Sequence, residues 1–539
     1  MLDPLLQLKS RVDFLESRIV DQDQKLLDQE KKFKDIIAQK DLKILILEEK
    51  FRLAMVRRFV RSSESFARQE SFVFDEPEAN LGPQAEMDLE PETTEVAGHT
   101  RIKLPRKRAE LPEGLEVVPV IHELPASELI GPNGEQFTEI GREVTEKLDV
   151  VPMDLRIIQH IRIKYAVKGR EELGVRTAPL PAQIIPKGIA TPGLLAHIAQ
   201  AKYEHHLPLY RQEKIWADLG VHMPRNSMCQ WMMKVGESVK TLCDYLFEDM
   251  KLEKYLHADE TRVTLLQDPN KKPDHPSHQG YMWVYANKTG VRYDYRSSRE
   301  GKHPLDMLEN FTGHLQVDGY SGYDRIFTYG AIIEVGCMAH LRRKFTDIQK
   351  AEGKKAKLPI IKHVLELIQK LYHIEKIAKE QDLDPEGVYQ LRQEKSKPIL
   401  EALHDYMKDQ HPKVPPKLST ARALQYALNH WVPISRYLDS GILDIDNNAA
   451  ERAIRPFTIG RKNWTFCGNV RGADAAANIY SLIESAKIHD LKIFEYLKYI
   501  FEEIPKADTP KKLEALLPKQ VAESKPEFKK QVKTTPSKR

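Results

Sequence analysis

Across the first sixty residues glycine is absent and Pro4 is the lone proline, while Leu5, Leu8, Val12, Leu15 and Ile19 fall at alternating spacings of three and four. That seam has the heptad spacing of a coiled coil, and Leu26, Phe33, Ile36 and Leu47 keep a helical period beyond it. The pattern predicts a self-associating coiled coil over residues 1–62, with a helix packed on its own domain as the alternative. Residues 190–236 also read as helical. In "YRQEKIWADLGVHMPRNSMCQWMMKVG" one helix ends at Leu219-Gly220 and a second opens at Pro224 or Asn226. A helix, a glycine turn and a second helix carrying Arg225, Asn226, Ser227 and Gln230 fit a helix-turn-helix, as they fit many helical hairpins.

From residue 254 the period becomes strand-like. "YLHADETRVTLL" is a β-rich run, and "GYMWVYANKTGVRYDYRSSR" is a hairpin turning around Lys288-Thr289-Gly290. "HPLDMLENF" predicts a short helix, "HLQVDGY" a strand ending at Asp318, and "AIIEVGC" a strand before a helix from about Met338. Helical pattern with little strand character fills residues 341–438. The chain then carries a short helix around Glu451 and one or two amphipathic helices in "AAANIYSLIESAKIHDLKIFEYLKYIFEEI". The expected fold class is a multidomain α+β or α/β protein with a mixed sheet.

Charge is distributed in blocks. "DEPEANLGPQAEMDLEPETTE", residues 75–95, holds eight acids and no Lys or Arg, so it cannot bury enough apolar surface to fold and reads as a linker. "RIKLPRKR" follows with five basic residues, of which Arg106, Lys107 and Arg108 predict a phosphate-contacting arm. The last 19 residues hold six basic groups against two acids and predict a disordered Lys-rich tail. With 539 residues, 41% hydrophobic and 30% charged, the chain is long enough for several domains and reads as soluble. Its four cysteines show no CxxC spacing, which argues against a disulfide framework or a zinc ribbon. Lacking an apolar signal region or a run of membrane-spanning length, it is expected to be cytoplasmic.

Three carboxylates carry the candidate chemistry. Asp259 lies in the first strand and Asp318 at the end of the fourth, which are neighbours if the first strand is central. Glu451 lies on a helix that can reach the same edge. Hard oxygen ligands with open coordination positions suit Mg2+, with Mn2+ as substitute, and two such ions can serve an in-line phosphoryl displacement. Asn447 or Asn448 is expected to cap the Glu451 helix and Pro456 to stop it. Arg452, Arg455, Arg461 and Lys462 would be available to a phosphate backbone. Trp464 reads either as a base-stacking ring or as a buried anchor. For Glu451 the plainer alternative is a helix-capping acid paired with Arg455 four residues on. His205, His206 and His257 read as structural or solvent-facing.

The blocks "HADETRV", "QVDGYSGYDRI", "CMAHLRRKF" and "IDNNAAERAIRPFTIGRKNWTFCG" resemble, in order and spacing, the signatures of the insertion-sequence 66 family of bacterial DDE transposases. "RRFVRSSES", "GLLAHIAQAKYEHHLPLYRQEKIW" and "IYSLIESAKIHD" resemble further family blocks, so the likeness covers nearly the whole chain. It implies a ribonuclease-H-like catalytic domain over 251–475 with a helical insertion at about 341–438. Around it the resemblance implies a leucine-zipper-like coiled coil at 1–62, a linker at 63–120, a small segment at 121–185 and a helix-turn-helix-like region at 186–250. C-terminal helices at 476–505 and the tail at 506–539 complete the partition.

The resemblance further implies that Asp259, Asp318 and Glu451 form the catalytic and metal-binding triad. His340, in the step Cys337-x-x-His340, would help position the scissile phosphate, alongside Arg452 and Arg455; a hydrogen-bonded histidine at a strand–helix junction is the alternative. Expected partners are DNA (the element's terminal inverted repeats and its target), a second copy through the coiled coil, and accessory proteins of the same element. The expected location is cytoplasmic, on the nucleoid when DNA-bound. Family members carry paired cysteines in a small zinc-binding segment. Here that region keeps the frame "IGREVTEKLDVVP" and "IRIKYAV" but has no cysteine, so zinc is not expected. The rival reading is a transposase-derived DNA-binding protein that has lost catalysis, with a hydrolytic nuclease as a third.

Overall fold

A computed structural model of the chain describes residues 4–59, 155, 157–160, 164–165, 176–177, 181–186, 188–272, 274–328, 330–352 and 359–530. The expected linker, with Arg106, Lys107 and Arg108, lies outside the described residues, as does most of the 121–185 segment. The chain divides into two compact units. In the smaller, residues 64–180, β1 (Lys164–Tyr165) pairs antiparallel with β2 (Arg176–Thr177). The larger unit comprises residues 1–63 and 181–539.

Its first element, α1 (Pro4–Phe59), is one continuous helix. Val12, Leu15, Ile19, Leu26, Phe33 and Ile36 of the heptad seam are exposed, whereas Ile46 and Glu49 are buried. Helices α2 (Pro192–Tyr203), α3 (Leu209–Asp218), α4 (Arg225–Ser238) and α5 (Lys240–Leu252) follow. Thr191 caps α2 by accepting the Leu194 amide, and Gly220, at φ 77°, makes the left-handed turn between α3 and α4. Helix α4 buries Met228, Met232, Met233 and Val235 and leaves Arg225, Asn226 and Gln230 exposed.

The sheet comprises β3 (Tyr255–Gln267), β4 (His278–Ala286), β5 (Val291–Arg296), β6 (Gly313–Gln316) and β7 (Ile332–Val335). Short helices α6 (Lys302–Met307) and α7 (Asp324–Phe327) make the crossovers. The order is β5-β4-β3-β6-β7, antiparallel from β3 to β5 and parallel from β3 to β7. The hairpin turn is held by Asn287, whose side-chain oxygen accepts the amides of Thr289 and Gly290.

A helical insertion leaves the sheet after β7: α8 (Met338–Glu352), α9 (Pro359–Glu380), α10 (Pro385–Leu391), α11 (Lys397–Gln410), α12 (Ser419–Asn429) and α13 (Trp431–Ser435). It has its own core of Val364, Ile368, Leu371, Leu400, Leu403 and Leu424, joined to the sheet through Tyr255 and Val335. Both Glu49 carboxylate oxygens of α1 lie 3.0 Å from the first amide of α12, at Ser419. That amide has no intrahelical partner, so a helix far away in sequence supplies the cap.

The chain returns through α14 (Asn448–Trp464), β8 (Cys467–Asn469), α15 (Val470–Ile488) and α16 (Ile493–Glu503). Helix α15 covers β5, the edge strand. The Ser485 and Ser481 hydroxyls accept the outward amides of Val291 and Tyr293 at 2.9 and 2.8 Å, which closes an edge otherwise open to pairing.

Two expectations are corrected. Pro456 does not stop the Glu451 helix, which runs on to Trp464. The amide it lacks would have met the Arg452 carbonyl on the solvent side, where water can serve it, and Ala453, Ile454, Phe457 and Gly460 bury the opposite face on both sides of the proline. The disorder expected of the last 19 residues does not begin at 521. The chain before and across that point forms α17 (Pro510–Glu514) and α18 (Pro518–Ser524), because Leu516, Leu517, Val521 and Ala522 are buried and the Tyr496 hydroxyl donates to the Leu516 carbonyl.

Helix α4 crosses α15 at Gly236, where an added Cβ would stand 2.4 Å from Ala475 Cβ. Gly236→Val is therefore expected to lower stability by about 1–3 kcal/mol through overpacking, read from the midpoint of urea unfolding. An unchanged midpoint would contradict this packing.

Candidate active site

The parallel ladder between β3 and β6 runs Tyr255–His314, Leu256–Leu315, His257–Gln316. Two residues further along each chain stand Asp259 and Asp318, so the period of two brings both carboxylates to the same face of neighbouring segments. β6 pairs with β3 up to His257, and β8 takes up the same edge at Leu265. Between them the β3 edge meets no strand, and α14 lies against this opening. The Arg461 guanidinium at its far end donates to the Thr261 hydroxyl at 3.0 Å and to the Arg262 carbonyl.

Each aspartate has one oxygen fixed by backbone. Asp259 Oδ1 accepts the Glu260 amide at 2.8 Å, and Asp318 Oδ1 accepts the Tyr320 amide at 2.9 Å. The turn after Asp318 uses Gly319 at φ 82°, and the Tyr426 hydroxyl from α12 donates to the Asp318 carbonyl at 3.0 Å. Glu451 sits in the first turn of α14. Its Oε1 is 3.6 Å from Arg343 Nη2 and 3.9 Å from His340 Nε2, both on α8, so its cation partner is Arg343 and not the Arg455 of the capping alternative.

Burial first, then the charge of Glu260 and after it those of Asp318 and Glu451, raise the Asp259 carboxyl to about 7 against the pull of the Glu260 amide. Glu260 is itself compensated by the Arg299 guanidinium and by the Tyr323 hydroxyl at 2.9 Å. His340 is held below its ordinary range by burial, although Asp318 and Glu451 pull it up. Asp318 and Glu451 thus both bear on Asp259 and on His340, which locates all four in one neighbourhood.

The donor set, three carboxylates with free oxygens and no sulfur, suits a hard divalent cation, and the uncompensated charge around Asp259 is what such an ion would relieve. Among the described residues, no three His, Cys, Asp or Glu side chains already stand at ligating distances from a common point.

The other expected residues disperse. Arg452, Arg455 and Lys462 are exposed on α14. Arg461 and Lys462 line a cleft of about 350 Å³ with Arg262, Thr264, Gln279 and Thr465. The Trp464 indole nitrogen is buried and its ring meets Phe457 edge-on at 5.5 Å, as an anchor would. Arg225 and Asn226 stand at the start of α4. The described residues contain no helix long and apolar enough to cross a membrane.

Sequence reasoning overlooked Arg343, Tyr426 and the role of Asn447. The Asn447 side chain does not cap α14. Its amide nitrogen donates to the Ala258 carbonyl at 2.8 Å and its oxygen faces His257 Nδ1 at 3.0 Å. Arg343 was legible in principle, one helical turn beyond His340 in "CMAHLRRKF".

Residues 187–475 match the family model described as Transposase IS66 family, and residues 481–518 match the IS66 C-terminal element. Uncharacterized protein y4qI of Sinorhizobium fredii (strain NBRC 101917 / NGR234) is 34% identical, over 84% of this chain and 83% of its own length. Uncharacterized protein y4jD of the same organism is 32% identical, over 81% and 86%. The crystal structure of the Mos1 mariner paired end complex with Mn aligns at 12% identity over 28% of this chain and 60% of that one, with a TM-score of 0.11.

The folded chain prefers Asp259 protonated, whereas unfolding returns it to its ordinary 3.8. In chelator, folding stability should therefore fall as pH rises from about 4 to about 7, by up to about 1.4 kcal/mol per unit. Asp259→Asn should flatten that slope and exceed the parent in Tm at pH 8; parallel Tm–pH curves for the two proteins would refute the assignment.

Proposed function

The chain belongs to the IS66 family of transposases, and from that premise we propose that it cleaves and joins DNA strands at the ends of its own insertion sequence with the help of divalent metal. The observation that carries this reading is the register of β3 against β6, which sets Asp259 beside Asp318 while Glu451 bears on the same carboxyl. Asp259, Asp318 and Glu451 would hold Mg2+, or Mn2+ in its place. Bound there, the ions supply charge to the attacking and leaving oxygens of an in-line displacement at phosphorus.

In the first step a water oxygen bonds to the phosphorus at the element end and the 3′-oxygen leaves as a hydroxyl. In the second, that hydroxyl oxygen attacks a target phosphorus and displaces a second 3′-oxygen. The amides of Glu260 and Tyr320 each hold one oxygen of Asp259 and Asp318, leaving the other for ligation. His340 and Arg343 flank Glu451 on α8, where a guanidinium can meet phosphate oxygens and an imidazole can orient them. Arg452, Arg455 and Lys462 extend this surface along α14, and Arg461, spent on the β3 edge, lines it.

Further from the chemistry, α3 and α4 fit a helix-turn-helix. Arg225 and Asn226, at the exposed start of its second helix, would read base edges at the element ends. The exposed apolar seam of α1 suits pairing with the same seam of a second copy, which would bring two DNA ends together.

Strand cleavage and joining on an end-containing duplex tests the proposal. Asp259→Asn, Asp318→Asn and Glu451→Gln should each reduce both steps by about a hundredfold or more, since even partners of metal ligands are worth 10- to 100-fold. End binding in a mobility-shift assay should persist. Undiminished joining by Asp259→Asn would remove the triad, and wild-type binding without any cleavage would favour the DNA-binding rival. Asn226→Ala should weaken discrimination between end and random duplex at fixed salt, by about 1–3 kcal/mol.

A further inference from the structure

A buried polar knot lies behind the three acids. His257, 2% exposed, stands two residues before Asp259, and Asn447, fully buried, stands four residues before Glu451. The Asn447 side chain donates to the Ala258 carbonyl at 2.8 Å, which orients its oxygen toward His257 Nδ1 at 3.0 Å. His257 Nε2 lies 3.1 Å from Asp444 Oδ2. The Asn447 oxygen and the Asp444 carboxylate thus flank the two ring nitrogens, and the ring braces two points of the loop that leads into α14.

The same loop is tied to the other acid-bearing segments. The Asp444 amide donates to the Tyr255 hydroxyl at 2.8 Å, and that hydroxyl donates to the Gln316 side chain. Gln316, two residues before Asp318, donates in turn to the carbonyls of Asp444 at 2.9 Å and Gly336 at 3.0 Å. The Asn447 amide donates to Cys337 Sγ at 3.1 Å, three residues before His340. Four segments that contribute to the candidate site are thus bonded to one another through the buried side chains of Tyr255, His257, Gln316 and Asn447, with the exposed Asp444 at the rim.

We infer that His257 and Asn447 are positioning residues which set the separation of Glu451 from Asp259 and Asp318, an inference that rests on the metal-dependent reading above. Three carboxylates gathered in one place repel one another, and the direct contacts of Glu451 with Arg343 and His340 tie it to α8. The knot adds a restraint from behind, toward β3. Burying so many polar groups costs stability unless all are paired, and an apolar filling would serve packing alone equally well. What the hydrogen bonds add is direction. They hold α14 at one height and rotation over β3, and Asn447 forgoes the ordinary capping role at its own helix to do so.

The test measures Mn2+ binding by the full-length protein without DNA, from the electron paramagnetic resonance signal of the free ion, beside thermal melting in chelator. Asn447→Leu keeps the shape and removes the hydrogen bonds. It should weaken Mn2+ binding by about 10- to 100-fold while leaving the protein folded, and excess Mn2+ should partly restore strand cleavage. If Asn447→Leu does not fold, His257→Gln, which replaces the rigid ring between Asn447 and Asp444 by a flexible amide, carries the same expectation. A folded variant with wild-type Mn2+ affinity and wild-type metal dependence overturns the inference. Wild-type protein and Asp318→Asn provide the control. Loss of binding in Asp318→Asn alone would leave the metal reading standing and overturn only the positioning role. Absence of any Asp318-dependent Mn2+ binding in the wild type would overturn both.

Discussion

The short parallel pairing of β3 with β6 is the constraint on which the rest of the structure turns. Three rungs of ladder, ending at His257 and Gln316, set where Asp259 and Asp318 emerge relative to each other. A slip of one residue would send one of the two carboxylates to the opposite face of the sheet. The pairing is parallel, so the two acids lie far apart in sequence, and the chain between them must build a hairpin and a crossover before returning. Those elements are the antiparallel half of the sheet, and their aromatic and branched side chains, Trp283, Val284, Tyr285 and Tyr293 among them, fill the core that fixes β3. The ladder breaks off after His257 and is resumed by β8 at Leu265, and that interruption leaves room for a helix to approach the sheet edge.

The electrostatic consequence is a site under tension. Asp259 is half-buried, sits next to Glu260, and feels both Asp318 and Glu451, so desolvation and these charges raise its carboxyl to about 7. Glu260 is relieved by Arg299 and Tyr323 and Glu451 by Arg343, whereas Asp259 receives one backbone amide. An acid held in this state gives up stability in the free protein and gains most from a cation beside it. The compensation is distributed asymmetrically: permanent partners go to the flanking acids, and the central one is left to be satisfied by something that arrives.

What could be read from the sequence was what local pattern encodes. The alternation in "YMWVYANKTGVRYDY" specifies a hairpin because strand, turn and strand are contiguous, and the centrality of β3 follows once that hairpin and a crossover are placed. The site's supporting contacts were not legible for the opposite reason. Asn447 looks like a helix cap because asparagine before a helix ordinarily is one; its diversion to Ala258 and His257 depends on a strand nearly two hundred residues earlier. Pro456 reads as a stop because propensity weighs a residue alone, whereas the burial of Ala453 and Phe457 on either side holds the helix together. The tail reads as solvated because its lysines outnumber its leucines, yet Leu516, Leu517 and Val521 are spaced to bury together.

The helical insertion shows the same non-local logic at a larger scale. It could be taken for an appendage, since it leaves the sheet after β7, has its own core and returns only at α14. Its contacts say otherwise. Tyr426 of α12 reaches the carbonyl of Asp318, and His340 and Arg343 of α8 reach the carboxylate of Glu451, so the insertion borders the site on two sides. The cap on α12 comes from Glu49 of α1, the helix whose outer apolar seam is bare. A displacement of α1 would therefore free an amide at the start of α12, two helical turns from the tyrosine that braces Asp318. Helix ends tolerate such a loss at about 1 kcal/mol, enough to bias a packed element without unfolding it. Hydrogen bonds at the start of α12 and at Tyr426 thus join α1 to the backbone of Asp318.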